Sequence, residues 1–110
     1  MIATYVQFKF SDELTSDKAR RLFVEATPRF TQMGGLIRKY FLLSIDGRSG
    51  GSVYLWTTQD AAQAFHTEEW MEFMQRKYGS RPTVSYYECP VVVDNAIGEV
   101  ITDLPEPDHE

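Results

Sequence analysis

The stretch of residues 34–57 constrains the fold more than any other part of the sequence. It contains two runs rich in aromatic and branched side chains, separated by Asp46-Gly47 and Gly50-Gly51. Glycine adopts the positive φ angles of tight turns without strain, so the stretch predicts a β-hairpin. An amphipathic helical pattern lies on each side of the hairpin, and a further strand pattern lies at each end. The order β-α-β-β-α-β is typical of a ferredoxin-like α+β fold, in which both helices cover one face of an antiparallel sheet.

Periodicity places the first strand and the first helix. Apolar and polar side chains alternate over residues 2–10, as in a strand with one buried face. An apolar stripe with helical spacing then extends over residues 19–33. Because the stripe stays in phase across Pro28, we expect one kinked helix that ends at Gly34 and Gly35.

Three more strands and a second helix follow. The strands are predicted over residues 36–43, 52–56 and 83–89. Neither face of residues 36–43 is cleanly polar, so we expect protein or ligand against both faces of this strand. The helix begins near Thr57 and ends at Tyr78 and Gly79. Its pattern restarts at His66 and Thr67, where we expect a break or bend.

Composition and charge limit the classes of function. The chain has 110 residues, of which 43% are hydrophobic and 14% aromatic, and this predicts one globular domain over residues 1–93. Residues 1–90 carry 11 basic and 10 acidic side chains, so the body lacks the basic stripe that binds nucleic acid. No apolar run approaches the roughly 20 residues that span a bilayer, and no signal-peptide pattern is present. We expect a soluble, cytoplasmic protein.

The remaining residues, 94–110, form an acidic tail. The apolar residues at 91–93 and 98–101 have no predicted partner in their own monomer, so we expect them to dock on a partner subunit. Residues 104–110 predict disorder. The single cysteine, Cys89, excludes an internal disulfide bond, and we expect a buried, inert thiol.

Three motifs resemble one protein family. They are Gly-Leu-Ile-Arg-Lys-Tyr at 35–40, Gly-Gly-Ser-Val-Tyr-Leu-Trp at 50–56 and Ala-x-x-Ala-Phe-x-Thr-Glu-Glu-Trp at 61–70. They are similar to motifs of the small antibiotic-biosynthesis-monooxygenase-like proteins of the dimeric α+β barrel superfamily. The resemblance implies a homodimer in which two sheets pack face to face, with a cavity in each monomer between sheet and helices. A strand that is apolar on both faces agrees with a second layer of protein.

Few side chains are suited to catalysis. His66, beside the predicted helix break, is the natural general acid or base near neutral pH; a surface or helix-capping role is the alternative. Arg38 and Lys39 lie inside a strand, where one of them would stabilise an anionic or enolate oxygen. We predict this role for Arg38. A salt bridge to Glu88 or across the dimer is the alternative.

Aromatic side chains with polar tips are suited to a flat phenolic ligand, because they offer stacking and a few hydrogen bonds. The residues predicted to contact such a ligand are Tyr40, Tyr54, Trp56, Trp70 and Tyr86. Packing in the core or in the dimer interface is the alternative. No second histidine or carboxylate cluster accompanies His66, so no metal site is predicted.

The resemblance implies a monooxygenase-like enzyme acting on a small aromatic or polyphenolic compound. Phe65 and Gln75 stand where haem-degrading relatives have a tryptophan and a histidine, which argues against haem. The sequence contains no phosphate loop or flavin fingerprint, so we predict no bound cofactor and a deprotonated substrate that itself reduces oxygen. The alternative is a non-catalytic dimeric ligand-binding or stress-response protein. Polar groups converging on an enclosed cavity would favour the enzyme, and a cavity filled by Phe8, Phe30 and Trp56 would favour the alternative.

Overall fold

The protein consists of a four-stranded sheet covered by helices and a separate two-stranded ribbon. The computed structural model describes residues 1–104. Its elements in chain order are β1 (Ile2–Lys9), α1 (Ser16–Phe30), β2 (Leu36–Leu43), β3 (Ser49–Trp56), α2 (Gln59–Phe65), α3 (Glu68–Tyr78), β4 (Thr83–Glu88), β5 (Val91–Asp94) and β6 (Glu99–Thr102). The sheet is antiparallel with the order β2-β3-β1-β4, and β5 pairs with β6. The predicted ferredoxin-like α+β fold is confirmed.

Strand pairing assigns each side chain to a face of the sheet, because directly paired residues share a face. Thr4 pairs with Tyr54 and Val6 with Ser52, and all four are buried. We call this side, which packs against the helices, the inner face. The opposite side is the outer face, where Tyr87 is 56% exposed.

An irregularity near the start of β2 changes the alternation of its side chains. Leu36 pairs with Trp56, but Arg38 rather than Ile37 pairs with Leu55. The residues of β2 on the inner face are therefore Leu36, Lys39, Phe41 and Leu43, and those on the outer face are Arg38, Tyr40 and Leu42. Each face of β2 therefore carries one basic side chain among apolar and aromatic ones, and this is why neither face looked cleanly polar in the sequence.

The first helix ends earlier than predicted. It remains one helix across Pro28, and it ends at Phe30 rather than at the glycine pair. The carbonyl of Val24 loses its usual backbone donor to the proline, and it accepts a hydrogen bond from Thr27 Oγ1 at 2.8 Å. Gln32, with φ of 63°, then turns the chain.

The predicted break in the second helical segment is confirmed. The helix α2 ends at Phe65, and α3 begins at Glu68. His66 is the C-cap residue of α2. Thr67 is the N-cap residue of α3, and its Oγ1 accepts a hydrogen bond from the backbone N–H of Trp70 at 3.1 Å. The break turns the chain so that the His66 side chain is buried, with 8% exposure.

The ribbon of β5 and β6, which we call the C-terminal arm, contains the predicted domain boundary at residue 93. An ion pair of 2.9 Å joins Arg38 Nη2 to Asp94 Oδ2, and the amino group of Met1 pairs with Asp103. The radius of gyration is 15.9 Å, against about 13 Å for a compact domain of this length. The arm thus makes the molecule longer than a compact fold.

Two further expectations concern the C-terminal end of the chain, and a third concerns membranes. Cys89 is half-buried rather than buried. Apart from Leu104, the segment predicted to be disordered lies outside the described residues. Within residues 1–104, no helix has both the length and the apolar composition that crossing a bilayer requires.

Candidate functional site

A cavity of about 210 Å³ lies between the inner face of the sheet and the helices α1 and α3. We call it the inner cavity. Its wall is mostly aromatic and includes Phe8, Phe23, Phe30, Phe41, Trp70 and Phe73. A cavity of about 150 Å³ is enough to hold benzene, so the inner cavity has room for one substituted ring.

Polar groups of two kinds interrupt this wall. The hydroxyl-bearing residues are Ser52, Tyr54 and Tyr78, and the charged residues are Glu25, Arg29, Lys39 and Lys77. Burial raises the pKa of Tyr54 well above its usual range and that of Tyr78 to about 12, so both phenols keep their protons at neutral pH and can donate hydrogen bonds. The cations Arg29 and Lys77 outnumber the single carboxylate of Glu25, and this favours an anionic ligand.

Lys39 lies in the aromatic part of the wall. Its Nζ is 3.4, 4.0 and 4.5 Å from the ring centroids of Phe30, Phe41 and Tyr54, respectively. Burial lowers the pKa of Lys39 to about 6, and the positive charges of Lys77 and Arg29 act in the same direction. Contact with the ring faces favours the ammonium form and opposes this shift. Lys39 can therefore exchange a proton near neutral pH.

His66 packs behind the wall of the inner cavity and is not one of its lining residues. Its ring lies 4.6 Å from that of Trp70 and 5.0 Å from that of Tyr54, centroid to centroid. His66 Nε2 is 2.9 Å from Thr4 Oγ1, which accepts a hydrogen bond of 2.9 Å from Trp56 Nε1. The Thr4 hydroxyl is then free to donate to His66 Nε2, and we assign the proton of the ring to Nδ1 on this basis.

The environment of His66 holds its ring in the neutral form. Burial lowers the pKa of His66 to about 4, and the charge of Lys39 acts in the same direction. Within the described residues, His66 Nδ1 is buried and has no hydrogen-bond partner. His66 thus has the helix-capping role that was predicted as the alternative. Its ring is also buried, which neither the catalytic nor the surface interpretation predicted.

The structure does not bring Arg38 and Tyr40 to the inner cavity. Both lie on the outer face, where Arg38 Nη1 donates to the Tyr40 hydroxyl at 3.4 Å. Arg38 forms its ion pair with Asp94 of the arm. A salt bridge to Glu88 was one alternative predicted from the sequence. The predicted residues are therefore divided between the two faces of the sheet.

The other predicted aromatic residues lie either on the inner face, as Tyr54, Trp56 and Tyr86 do, or on α3, as Trp70 does. Only two of them line the inner cavity. These two are Tyr54 and Trp70. Trp56 stacks against Tyr54 with ring centroids 5.5 Å apart and planes 9° apart, and it is 1% exposed. Tyr86 lies on the edge strand β4, 40% exposed, with its ring edge-on to that of His66. Trp56 and Tyr86 therefore surround His66 instead.

Sequence reasoning did not nominate Arg29, Lys77 or Ser52. Arg29 precedes Phe30 and Lys77 precedes Tyr78, so both cations border the apolar stripe of a helix. A long cation at the border of a stripe can extend over apolar surface, and this is the signal that could have found them.

A larger depression, of about 510 Å³, lies on the outer face and is lined partly by Tyr5, Gln7 and Leu42. This face is the one that the sequence predicts a second subunit to cover. We therefore take the inner cavity as the candidate site. Within residues 1–104, no three His, Cys, Asp or Glu side chains come together as a set of metal ligands.

Comparison with known proteins identifies the fold. No protein-family model matches the sequence, and no curated protein matches it either. The putative antibiotic biosynthesis monooxygenase from Deinococcus radiodurans superposes with a TM-score of 0.65 over 86% of this chain and 97% of its own, at 12% identity. A protein of unknown function from Nitrosomonas europaea also has a TM-score of 0.65, over 96% of this chain and 95% of its own, at 13% identity.

A third neighbour is SnoaB, a cofactor-independent oxygenase from Streptomyces nogalater. Its TM-score is 0.56 over 80% of this chain and 92% of its own, at 18% identity. At such identities the likeness is one of fold. The chain therefore has the α+β fold of the antibiotic-biosynthesis-monooxygenase-like proteins, in agreement with the resemblance of its sequence motifs.

Proposed function

We propose that this protein is a cofactor-independent, monooxygenase-like enzyme that oxidises a small aromatic or polyphenolic compound in the inner cavity. The observation that carries this proposal is the convergence of hydroxyls and cations on one aromatic-walled space. Aromatic walls bind a planar ring, and the polar groups orient its oxygen atoms. The fold shared with a cofactor-independent oxygenase supports the same class of reaction.

In such a reaction the substrate itself supplies the electrons that reduce oxygen. A phenol or enol that loses its proton becomes an electron-rich anion, and cations beside the developing charge stabilise it. One oxygen atom of O₂ enters the substrate and the other leaves as water. For a quinol, one ring C–H bond would become C–OH and the two hydroxyl groups would become the carbonyl groups of a quinone, while O₂ supplies the inserted oxygen atom and that of one water molecule. The ring is oxidised by four electrons, and both oxygen atoms of O₂ are reduced.

The predicted roles of His66 as base and Arg38 as anion stabiliser stay predictions. Neither residue lines the inner cavity, and Arg38 is on the outer face. This separation favours a second candidate function, a non-catalytic ligand-binding protein that uses the same cavity.

Oxygen uptake measured over a panel of single-ring phenols and quinols tests the proposed function. We expect turnover by the wild-type protein and a loss of about 10–100-fold in kcat/KM for Tyr54→Phe, because the hydroxyl that orients the substrate is removed. Tyr87→Phe removes the same group from the outer face and should leave turnover unchanged. If the protein binds these compounds but takes up oxygen with none of them, the proposed enzyme activity is wrong and the ligand-binding function is favoured.

A further inference from the structure

We propose that Lys39 is the proton acceptor of the inner cavity, and that its ligand is a single-ring phenol or enol that enters neutral and is held there as the anion. This inference rests on the proposed function, because it names the base and the substrate class of the same site. The inference also narrows the proposed substrate class from aromatic compounds in general to those with an acidic hydroxyl group.

The first argument is the surroundings of the amine. Lys39 Nζ lies within 4.5 Å of three ring centroids, two of them on strands of the sheet and one on α1. Such a cage limits access by water, so a ligand hydroxyl would compete with little solvent for the nitrogen. Lys39 also lines the inner cavity, so a substituent of a ring bound there can reach its side chain.

The second argument is the charge around Lys39. The charged and titratable side chains that share its cavity or perturb it are Glu25 and Arg29 from α1, Lys77 and Tyr78 from α3, Tyr54 from β3 and His66 from the junction of α2 and α3. The cations Arg29 and Lys77 disfavour a third positive charge while the cavity is empty. A bound anion reverses this balance, because it attracts all three cations and makes protonation of Lys39 favourable.

The proposed step is the transfer of one proton from the ligand to Lys39. The O–H bond of the ligand breaks, its electron pair stays on the oxygen, and the proton forms a new bond to Lys39 Nζ. The product is an ammonium–phenolate pair next to Arg29 and Lys77. The low pKa of Lys39 in the empty cavity agrees with a neutral amine that is ready to accept this proton at pH 7.

The two residues predicted from the sequence are less suited to this step. Arg38 is on the outer face, and a guanidinium does not give up its proton at ordinary pH. His66 is separated from the cavity by its wall, and the ring nitrogen that would accept a proton is already engaged with Thr4.

Binding of 4-cyanophenol under nitrogen tests the proposal without turnover. This single-ring phenol is mostly neutral in water at pH 7, and its anion absorbs at longer wavelength. We expect the phenolate spectrum on binding to the wild-type protein, with about zero protons released to weakly buffered solvent, because Lys39 takes the proton. Lys39→Arg should also bind the phenolate, but with release of about one proton per probe, since arginine is already charged.

Lys39→Met should bind the probe at least about tenfold more weakly at pH 7, or bind it as the neutral phenol. Lys18→Met, an exposed lysine on α1, is the matched control and should behave like wild type. A phenolate spectrum in Lys39→Met, release of one proton by wild type, or no binding would each overturn the proposal. Phenolate binding without oxygen uptake would instead refute only the proposed oxygenase activity.

Discussion

At the scale of single residues, His66 is a buried base whose ionisation opposes folding. Its pKa is lowered to about 4, against 6.5 for an unperturbed histidine. Between these two pH values the unfolded chain binds a proton that the folded chain does not, so stability falls as the pH is lowered through this window. The shift corresponds to about 3 kcal/mol of unfolding free energy lost below pH 4.

Urea unfolding measured from pH 7 to pH 4 tests this prediction. The variant His66→Gln keeps a side chain that can hydrogen-bond to Thr4 but does not titrate, so its stability should depend less on pH. Because the carboxylates titrate in both proteins, the difference between the two curves of unfolding free energy against pH gives the contribution of His66 alone. Parallel curves for wild type and variant would show that His66 is not the group responsible.

Lys39 should affect stability as well as binding. Its folded pKa of about 6 lies below the ordinary value of 10.5, so at pH 7 the unfolded chain binds a proton that the folded chain does not, and folding is penalised. Lys39→Met removes this penalty and keeps the apolar stem. We expect a rise in Tm of about 5 °C or more at pH 7, measured by circular dichroism. Lys18→Met should leave Tm unchanged, and a fall in Tm for Lys39→Met would contradict the prediction.

The sequence allowed only part of the candidate site to be predicted. Tyr54 and Trp70 were found because aromatic residues with polar tips were predicted as a class, of which only these two of the five predicted line the inner cavity. Alternation shows which residues of a strand share a face, but it does not show which face is covered by helices. For β2 the irregularity after Leu36 also shifts the alternation, and so the choice between Arg38 and Lys39 required the paired neighbour, β3.

At the scale of elements, local patterns predicted most boundaries, and the exceptions have identifiable causes. β2 has the predicted bounds, but β3 begins earlier, at Ser49. Gly50 and Gly51 were assigned to the turn, yet both are paired within the sheet. A Cβ at Gly51 would lie 2.3 Å from the carbonyl oxygen of Val6. Close contact between strands, which no local pattern reveals, explains this glycine.

Gly79, which ends α3, should tolerate no side chain. Its φ is 103°, and a Cβ would lie 2.6 Å from Ser11 Cβ and 2.7 Å from Ser11 N. We expect Gly79→Ala to lower the unfolding free energy by about 2 kcal/mol or more, since strain and overlap act together. Gly34→Ala is the matched control, because no atom lies within 4 Å of its Cβ position. Equal stabilities of the two variants in urea would contradict this account.

At the scale of the whole molecule, two apolar surfaces are exposed among residues 1–104. The outer face presents Tyr40 and Tyr87, which are 52% and 56% exposed. One side of the arm presents Val91, Val93 and Val100, which are 46%, 65% and 65% exposed. We propose that a second copy of the chain covers both surfaces, as the sequence resemblance implies, since burial of apolar area drives such association.

Sedimentation analysis at micromolar concentration tests the homodimer. We expect a dimer for wild type and a shift to monomer for Val93→Glu, because a charge would replace apolar contact on the arm. Val24→Glu is the matched control, since Val24 is 70% exposed on α1, away from both surfaces. A wild-type protein that sediments as a monomer would refute the proposed assembly.

The placement of the two tryptophans has a practical consequence. The chain contains only Trp56 and Trp70; Trp70 lines the inner cavity, whereas Trp56 is stacked on Tyr54 and hydrogen-bonded to Thr4. A ring that enters the cavity would contact Trp70 and change its fluorescence directly, whereas Trp56 does not line the cavity. Occupancy can thus be followed through the intrinsic emission of the unlabelled protein, with Trp70→Phe as the variant that should lose the response.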